Sequence, residues 1–210
     1  MPRPGVADSY RRQAQAEGYV SRAVYKLKAM DEKYRLFRPG QRVLDLGCSP
    51  GSWLQYIVSR VGSEGLVLGV DLAAPQVPLV HPLYFLAGDV LSLDFEAIRA
   101  QSPYFNVIVS DLAPKTSGIK GVDQERSLEL AQRAWDAAQE LLAPGGHFLV
   151  KIFEGPDIGS LAAQLKKAFR RFHRVKPAGS RAASKEYYLL GLGKQTGKSR
   201  PVTGSKSAAS

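Results

Sequence analysis

Four ionisable residues lie where apolar segments or helical patterns of the sequence begin or end: Lys26, Asp111, Lys151 and Glu186. Lys151 directly follows the apolar residues 148–150, and desolvating a charged amine is costly unless a partner lies close by. Asp111 is the natural partner, because it follows a second apolar segment that can form a neighbouring strand. Such a pair can be a structural ion pair or can handle a proton during catalysis, and the spacing leaves both interpretations open.

A glycine turn at residues 45–51 is the second place where the residue types suggest chemistry. The apolar segment 42–46 before it predicts a strand, and residues 52–61 after it predict a helix. The carboxyl end of such a strand is where open α/β sheets bind ligands. Gly47 and Gly51 allow the backbone to approach a ligand closely, so we expect a nucleotide-like cofactor here.

The residues of this turn favour S-adenosylmethionine (SAM) over a dinucleotide. Dinucleotide-binding turns have the spacing G-x-G-x-x-G, whereas the glycines here are spaced G-x-x-x-G with Pro50 between them, and no Walker A lysine follows. The Asp45 carboxylate would repel a pyrophosphate but attract the ammonium and sulfonium groups of SAM. A tight turn that binds no ligand is the remaining alternative.

Two further acids end predicted strands on the same side of the sheet. Asp71 follows the second predicted strand, about 20 residues beyond the glycine turn, where a carboxylate can accept hydrogen bonds from ribose hydroxyls. Asp89 follows the third predicted strand. An acid at such a position can also simply cap the next turn, so the ribose contact of Asp71 is a prediction with a structural alternative.

The elements that must position these residues alternate along the chain. Apolar segments predict strands at residues 42–46, 66–70, 83–86, 105–109, 147–150 and 187–192, and helical patterns occupy residues 52–61, 94–101, 123–142 and 157–169, with a further helix from Ser21 onward. This alternation is typical of a doubly wound α/β fold with a mostly parallel sheet. We expect one domain at residues 21–193, a loose basic arm at 1–20 and a disordered basic tail at 194–210.

Basic residues are concentrated at the two ends of the chain, which carries a net charge of +10. Residues 1–38 contribute +5 and residues 160–210 contribute +11, whereas residues 39–159 contribute −6. This segregation predicts a polyanionic partner, and a nucleic acid is the natural one. The candidate phosphate contacts are Arg11, Arg12, Arg22, Arg38, Arg181 and Lys185.

Cysteine and histidine usage argue against disulfides and metal centres. Cys48 is the only cysteine, which excludes an internal disulfide and is typical of a reducing compartment. His81, His147 and His173 lack metal-ligand spacing, so we expect no metal. The sequence shows no membrane-spanning segment and no secretory signal. We therefore expect a cytoplasmic protein that acts as a monomer, with no obligate protein partner and no membrane association.

Five motifs carry a likeness to a known family. They are SRAVYKL at residues 21–27, DLGCSPGSW at 45–53, SDLAP at 110–114 followed by Ser117 and Gly118, PGGHFLVK at 144–151, and SR at 180–181 followed by SKEY at 184–187. Together they resemble the FtsJ/RrmJ family of SAM-dependent ribose 2′-O-methyltransferases over residues 18–193, in unbroken order. Within that family the chain is most similar to members that methylate a uridine of the large-subunit rRNA. The resemblance implies a Rossmann-like methyltransferase fold with a seven-stranded sheet.

The resemblance also implies which residues form the site. The catalytic tetrad of the family maps to Lys26, Asp111, Lys151 and Glu186. Its cofactor contacts map to Gly51, Trp53, Asp71, Asp89 and Asp111, with Asp45 and Gly47 in the same pocket. The chain departs from the family pattern at Cys48 and Ser49, which replace smaller residues, at Ser52, where many members have glycine, and in a short segment 89–105.

The implied reaction is transfer of a methyl group from SAM to the ribose 2′-hydroxyl of a uridine in 23S rRNA, on the large ribosomal subunit. In this hypothesis Lys151 takes or steers the hydroxyl proton, Asp111 orients Lys151, Lys26 supplies a second cation, and Glu186 holds Lys26 or the ribose. Methylation of tRNA or another RNA is an alternative that the tetrad does not distinguish. The glycine spacing disfavours an NAD-dependent oxidoreductase, and the complete tetrad disfavours a non-catalytic RNA-binding protein.

Overall fold

The computed structural model describes residues 6–176 and 186–196 and has an α/β fold with six helices and seven strands in those ranges. The helices are α1 (Val6–Ala16), α2 (Val24–Tyr34), α3 (Ser52–Val61), α4 (Phe95–Gln101), α5 (Lys120–Leu141) and α6 (Ile158–Ala168). The strands are β1 (Arg42–Leu46), β2 (Leu66–Asp71), β3 (Leu83–Ala87), β4 (Phe105–Ser110), β5 (Leu142–Phe153), β6 (Phe169–Val175) and β7 (Glu186–Lys194).

The seven strands form a single sheet in the order β3-β2-β1-β4-β5-β7-β6. The neighbours from β3 to β5 are parallel, and β7 is antiparallel to both β5 and β6. The predicted doubly wound, mostly parallel, seven-stranded sheet is therefore confirmed. Strands β2 and β3 are added on one side of β1, and β4 and β5 are added on its other side, so the strand order switches between β1 and β4. Ligands of open α/β sheets bind outside the carboxyl ends of the strands at such a switch point.

Apolar side chains cover both faces of the sheet, which is why its strands are almost continuously hydrophobic. On one face α5 and α6 pack over a cluster that includes Phe105, Phe148 and Phe169. On the other face α2 and α3 pack over a cluster that includes Leu27, Ile57 and Tyr188. The two layers leave the carboxyl edge of the central strands uncovered by helices, so the loops that follow the strands form the crevice.

The amino-terminal segment is not the loose arm that its composition predicts. Residues 6–16 form α1, and Ala14 of this helix is 2% exposed. The ring of Tyr10 lies 5.3 Å from that of Tyr25 on α2, and the Glu17 carboxylate lies 2.7 Å from the Lys28 ammonium. The prediction was wrong because α1 is stabilised by packing against α2, which the local sequence does not encode.

The carboxyl-terminal part of the sheet also differs from the prediction. Strand β6 was not predicted, because its sequence FRRFHRV lacks a regular apolar alternation and pairs with β7 alone. Strand β7 extends to Lys194, whose ammonium donates hydrogen bonds to the carbonyls of Ala138, Gln139 and Leu142 at the end of α5. Residue 194 therefore belongs to the sheet and not to a disordered tail. The predicted disorder further along concerns residues 197–210, which lie outside the described residues.

Other helices and strands begin or end a few residues away from their predicted boundaries. The helix predicted at residues 123–142 begins at Lys120, and the strand predicted at 147–150 extends from Leu142 to Phe153. Asp94 caps α4 by accepting hydrogen bonds from the amides of Glu96 and Ala97. Within residues 6–176 and 186–196, no helix is both long and apolar enough to cross a membrane.

Candidate active site in the carboxyl-edge crevice

Lys151 and Asp111 form a buried ion pair at the edge of the sheet. Lys151 is 6% exposed on β5, and its ammonium lies 3.1 Å from Asp111 Oδ1 and 2.5 Å from the Asp111 carbonyl oxygen. The Tyr188 hydroxyl donates a third hydrogen bond in this group, to Asp111 Oδ1, at 2.5 Å. Burial and the Asp111 carboxylate raise the pKa of Tyr188 well above its ordinary value, so its hydroxyl stays protonated and can only stabilise the carboxylate.

Lys26 and Glu186 form the second pair, with the Lys26 ammonium 2.7 Å from Glu186 Oε2. Glu186 precedes Tyr188 by two residues on β7, so the two side chains emerge on the same face of the sheet, roughly 7 Å apart along the strand. Since Tyr188 is also the register partner of Lys151, the structure brings all four residues of the predicted tetrad into one crevice as two neighbouring ion pairs.

Two contacts place α2, and with it Lys26, against the glycine turn. The Trp53 indole N–H donates to the Ala23 carbonyl at 3.0 Å, and the hydroxyls of Ser21 and Ser52 are 2.8 Å apart. The serine at 52, where many family members have glycine, therefore joins the start of α3 to the segment before α2.

At the other end of α2, Asp31 fixes the helix to α3. Its buried carboxylate accepts hydrogen bonds from the Phe37 amide, the Tyr56 hydroxyl and the Arg60 guanidinium. This carboxylate has a partner on each oxygen, which makes it a structural group and not a candidate for catalysis.

The glycine turn requires glycine at two positions. Gly47 has φ 82° and Gly51 has φ 118°, a region that other residues rarely adopt. A Cβ atom at Gly47 would lie 2.5 Å from the Leu112 side chain, and one at Gly51 would lie 3.0 Å from Val77. The turn therefore packs closely against the loops after β2 and β4.

The Asp45 side chain lies in the interior of the protein, beneath this turn. Its carboxylate is fully buried, and neither oxygen has a hydrogen-bond partner among the residues that the structure describes. Burial, followed by the nearby Asp111 and Asp71 carboxylates, raises the pKa of Asp45 well above its ordinary value. A buried carboxyl group without a partner is costly, and a cationic ligand in the crevice would supply the missing charge. These residues fit SAM, which carries two positive groups.

Asp71 and Asp89 make the turn contacts that were the alternative to ligand binding. Asp71 accepts hydrogen bonds from the amides of Ser49 and Ala73, and Asp89 accepts one from the amide of Leu91. Each carboxylate keeps further acceptor capacity. Trp53 is 4% exposed, and its ring lies 6.0 Å from that of Tyr188. It therefore lies beside the tetrad, and its contact with a cofactor stays a prediction.

Cys48, one of the departures from the family pattern, fills space inside the sheet. A Cβ atom on Gly69 of β2 would lie 2.8 Å from the Cys48 sulfur, so the thiol packs directly against that glycine. Burial and the Asp45 and Asp71 carboxylates raise the pKa of the Cys48 thiol. The thiol is therefore kept protonated and unreactive.

The model of the FtsJ-like methyltransferase family matches residues 19–194 of this chain. The chain belongs to the FtsJ-like methyltransferase family. This match confirms the family that the five motifs predicted, and the protein is a methyltransferase.

Named relatives of this FtsJ-like methyltransferase span nearly its whole length. It is 44% identical over 191 residues to the ribosomal RNA large subunit methyltransferase E of Bdellovibrio bacteriovorus, covering 90% of this chain and 97% of that protein. It is 43% identical over 190 residues to the protein of the same name from Coxiella burnetii, covering 87% of this chain and 89% of that protein.

Solved structures show the same fold. A protein from Plasmodium falciparum described as a ribosomal RNA methyltransferase superposes with a TM-score of 0.73 at 30% identity, covering 84% of this chain and 98% of that one. A protein from Clostridium thermocellum described as an rRNA methylase superposes with a TM-score of 0.56 at 18% identity, covering 80% and 97% of the two chains. The second likeness concerns the fold alone.

The six candidate phosphate contacts of this FtsJ-like methyltransferase are not grouped in one place. Arg11 and Arg12 are exposed on α1, and Arg22 lies between Ser21 and Ala23 beside the crevice. Arg38 precedes β1 and is close enough to influence His147 at the amino end of the sheet, so it lies at the end opposite the tetrad. Arg181 and Lys185 lie outside the described residues.

Tyr188 is the site residue that sequence reasoning missed. A weak signal for it was available, because its hydroxyl interrupts an apolar strand two residues after Glu186 and must therefore share that residue's face. What the sequence did not contain was the partner, since the contact with Asp111 joins positions 77 residues apart.

Proposed function

We propose that this protein transfers the methyl group of SAM to the ribose 2′-hydroxyl of a uridine in 23S rRNA, with the large ribosomal subunit as its substrate and the protein acting as a monomer. The observation that carries the chemistry is the buried Lys151–Asp111 pair beside the Lys26–Glu186 pair. The substrate class is supported by the relatives named ribosomal RNA large subunit methyltransferase E.

SAM would be held by the glycine turn and the acids around it. When bound, SAM supplies a methyl group activated by its sulfonium charge. Asp45 offers an unpaired buried carboxylate for a cationic group, Asp71 and Asp89 offer acceptors for hydroxyl or amine donors, and Gly47 and Gly51 let the turn between them adopt positive φ angles. Asp111 lies at the boundary between this pocket and the tetrad.

The tetrad would position the ribose and manage its proton. The 2′-hydroxyl must lose its proton as its oxygen forms a bond to the methyl carbon. The Lys151 ammonium donates a hydrogen bond to the Asp111 carbonyl and forms an ion pair with Asp111 Oδ1 at 3.1 Å. Its Nζ would meet the hydroxyl as a donor to its oxygen or, in the neutral amine, as an acceptor of its proton. Lys26, held by Glu186, adds positive charge that favours the developing oxyanion.

Two other functions can be distinguished from the proposed one by experiment. Methylation of tRNA or another RNA would use the same tetrad, and a non-catalytic RNA-binding protein would keep the basic surfaces without turnover. The complete tetrad favours an enzyme over the binding protein, and the named relatives favour rRNA over tRNA as the substrate.

The deciding experiment supplies labelled SAM and the full-length protein to large ribosomal subunits from cells that lack this activity, with free rRNA and tRNA in parallel. We expect label in subunit rRNA, mapping to a 2′-O-methyluridine. Label in tRNA alone would keep the reaction and overturn the substrate. No label in any RNA, despite SAM binding, would favour the binding protein.

The mechanism is tested with Lys151→Ala and, as a matched control, Lys166→Ala on the exposed side of α6. General acid–base catalysis contributes about 10²- to 10⁴-fold, so we expect kcat to fall by at least about 100-fold in the first variant and to be unchanged in the second. Full turnover by Lys151→Ala would refute the assigned role.

A further inference from the structure

The tyrosine next to Glu186 lies in a basic cluster that no step of the proposed reaction uses. The Arg174 guanidinium lies 4.2 Å from the centre of the Tyr187 ring, and the Lys176 ammonium lies 5.6 Å from it. Arg174 also contacts the Glu154 carboxylate at 3.1 Å, through a side chain that is 43% exposed. Both cations lie within cation–π range of one ring, which holds them side by side.

The register of the sheet places this cluster beside the tetrad. Arg174 pairs with Leu189, so its side chain shares a face of the sheet with Tyr187, the face opposite to that of Glu186 and Tyr188. Strand β6 is two strands away from β5 in the sheet, a distance of about 10 Å. The cluster therefore lies at the same edge as Lys151, within the span of one or two nucleotides of an RNA chain.

Its charge is not balanced by the local sequence. No acidic residue lies between Asp157 and Glu186, whereas β6 and the residue after it contribute Arg170, Arg171, Arg174 and Lys176. Among residues 6–176 and 186–196, Glu154 is the acid that forms an ion pair with Arg174. An exposed ion pair of this kind is weak, so a phosphate can replace or share the Glu154 contact.

The chemistry of the cluster fits a phosphate group. Contact with the Tyr187 ring restrains the Arg174 guanidinium, whose planar N–H edges can bind two oxygens of one phosphate once its bond to Glu154 is exchanged or shared. Lys176 adds a point charge on the same ring. Surfaces that bind single-stranded nucleic acid combine basic side chains, which follow the phosphate backbone, with aromatic rings, and arginine adds cation–π contacts there.

We propose that Arg174, Lys176 and Tyr187 form a phosphate-binding site for the RNA strand that flanks the methylated nucleotide. This inference rests on the proposed function, because it assumes that RNA enters the crevice. The site fixes the strand on the β6 side of the tetrad, while the tetrad acts on the ribose.

The test compares Arg174→Gln, Lys176→Gln and the double variant with Arg171→Gln. Arg171 lies on the same strand as Arg174, but about 10 Å further from the carboxyl edge of the sheet and on the opposite face. Its replacement by glutamine therefore removes the same charge without changing the cluster. The measurements are the affinity for unmodified large subunits and for a free rRNA fragment containing the target, at several salt concentrations, together with SAM affinity.

We expect each single variant to weaken RNA binding about tenfold, as for the loss of one charge-assisted hydrogen bond. The slope of log affinity against log salt should become shallower by about one for each lost phosphate contact. SAM affinity should not change, which separates the loss of RNA contacts from misfolding. Tyr187→Leu should weaken RNA binding less than Arg174→Gln, because both cations remain but are no longer ordered.

The inference is overturned if the double variant matches Arg171→Gln in affinity and salt slope. It is also overturned if the loss is confined to assembled subunits and absent from free rRNA, since the partner would then be a ribosomal protein. Failure of the proposed function is a separate outcome, in which the unaltered protein transfers no methyl group to rRNA.

Discussion

At the scale of single residues, Asp45 is the side chain whose environment most strongly supports the proposed SAM site. It combines full burial, the absence of a hydrogen-bond partner among the described residues, and two carboxylates close enough to raise its pKa. A buried acid usually receives donors from the backbone or from side chains. Here the donors are missing, and the position beneath the glycine turn means that a bound cation can provide the compensation.

This environment gives a prediction for Asp45→Asn. Because the folded protein holds the Asp45 proton more tightly than the unfolded chain does, folding stability falls as the pH rises from about 4, the unfolded pKa, through the raised folded pKa. Asparagine does not titrate, so the variant should be more stable than the parent at pH 8, by about 1–3 kcal/mol, with a smaller difference at pH 5. SAM affinity should drop about tenfold or more.

Thermal unfolding at the two pH values, with and without SAM, measures both effects. Asp71→Asn is the matched control, because Asp71 already accepts two backbone hydrogen bonds and its replacement should not stabilise the protein. A variant at position 45 that is less stable than the parent at pH 8 would mean that the carboxylate has a partner within the fold.

At the scale of elements, the contact between α1 and α2 decides where the basic residues of α1 lie. Lys28 on α2 binds the segment after α1 through the Glu17 carboxylate and the Tyr19 ring, whose centre lies 4.5 Å from its ammonium. Its ammonium also lies 5.3 Å from the ring of Tyr25 on the same helix, which packs against Tyr10 of α1. Gln55 of α3 adds hydrogen bonds to the Gly18 carbonyl and the Val20 amide. Arg11 and Arg12 are therefore carried by a docked helix.

We expect Lys28→Met to loosen α1 while α2 stays folded, because the methionine keeps the length of the stem and removes the charge that both rings and Glu17 bind. Amide hydrogen exchange in residues 6–16 should accelerate roughly fivefold, and RNA affinity should fall by a similar factor. Lys33→Met on the same helix is the control. Equal exchange rates in the two variants would show that α1 is docked by its apolar contacts alone.

At the scale of the whole molecule, the acidic middle and basic ends of the sequence become different regions of one fold. The acids of the cofactor pocket come from the middle of the chain, whereas α1, the start of α2 and the end of β6 provide the basic surface around it. This arrangement separates the binding of a small cation from the binding of a large polyanion.

The separation predicts different responses to salt. If RNA binding uses four to six phosphate contacts, raising the salt from 50 to 200 mM should weaken it by about two to three orders of magnitude. In our proposal SAM binds inside the crevice, where charges are screened much less, so its affinity should change by less than about twofold. Parallel titrations of RNA and SAM at both salt concentrations measure this, and equal salt dependence of the two would contradict the separation.

Much of the fold was encoded locally, which is why it could be predicted. The apolar runs that became β1, β2 and β4, the glycine turn before α3, and the acids at or near the carboxyl ends of the first four strands are properties of neighbouring residues. Strand β6 was not predicted, because an edge strand buries little surface and needs no regular apolar pattern. Helix α1 was not predicted, because its stability comes from packing against α2.

The sequence by itself determined the alternation of strands and helices, the position of the ligand-binding turn and the residue types of the tetrad, since each is written in a short stretch of chain. Only the tertiary structure decided which of these residues meet. The Lys26–Glu186 contact spans 160 positions and the Tyr188–Asp111 contact spans 77, and both depend on the strand order and register. The isolation of Asp45 is likewise a property of everything that packs around it, because burial and missing partners arise only when distant segments come together.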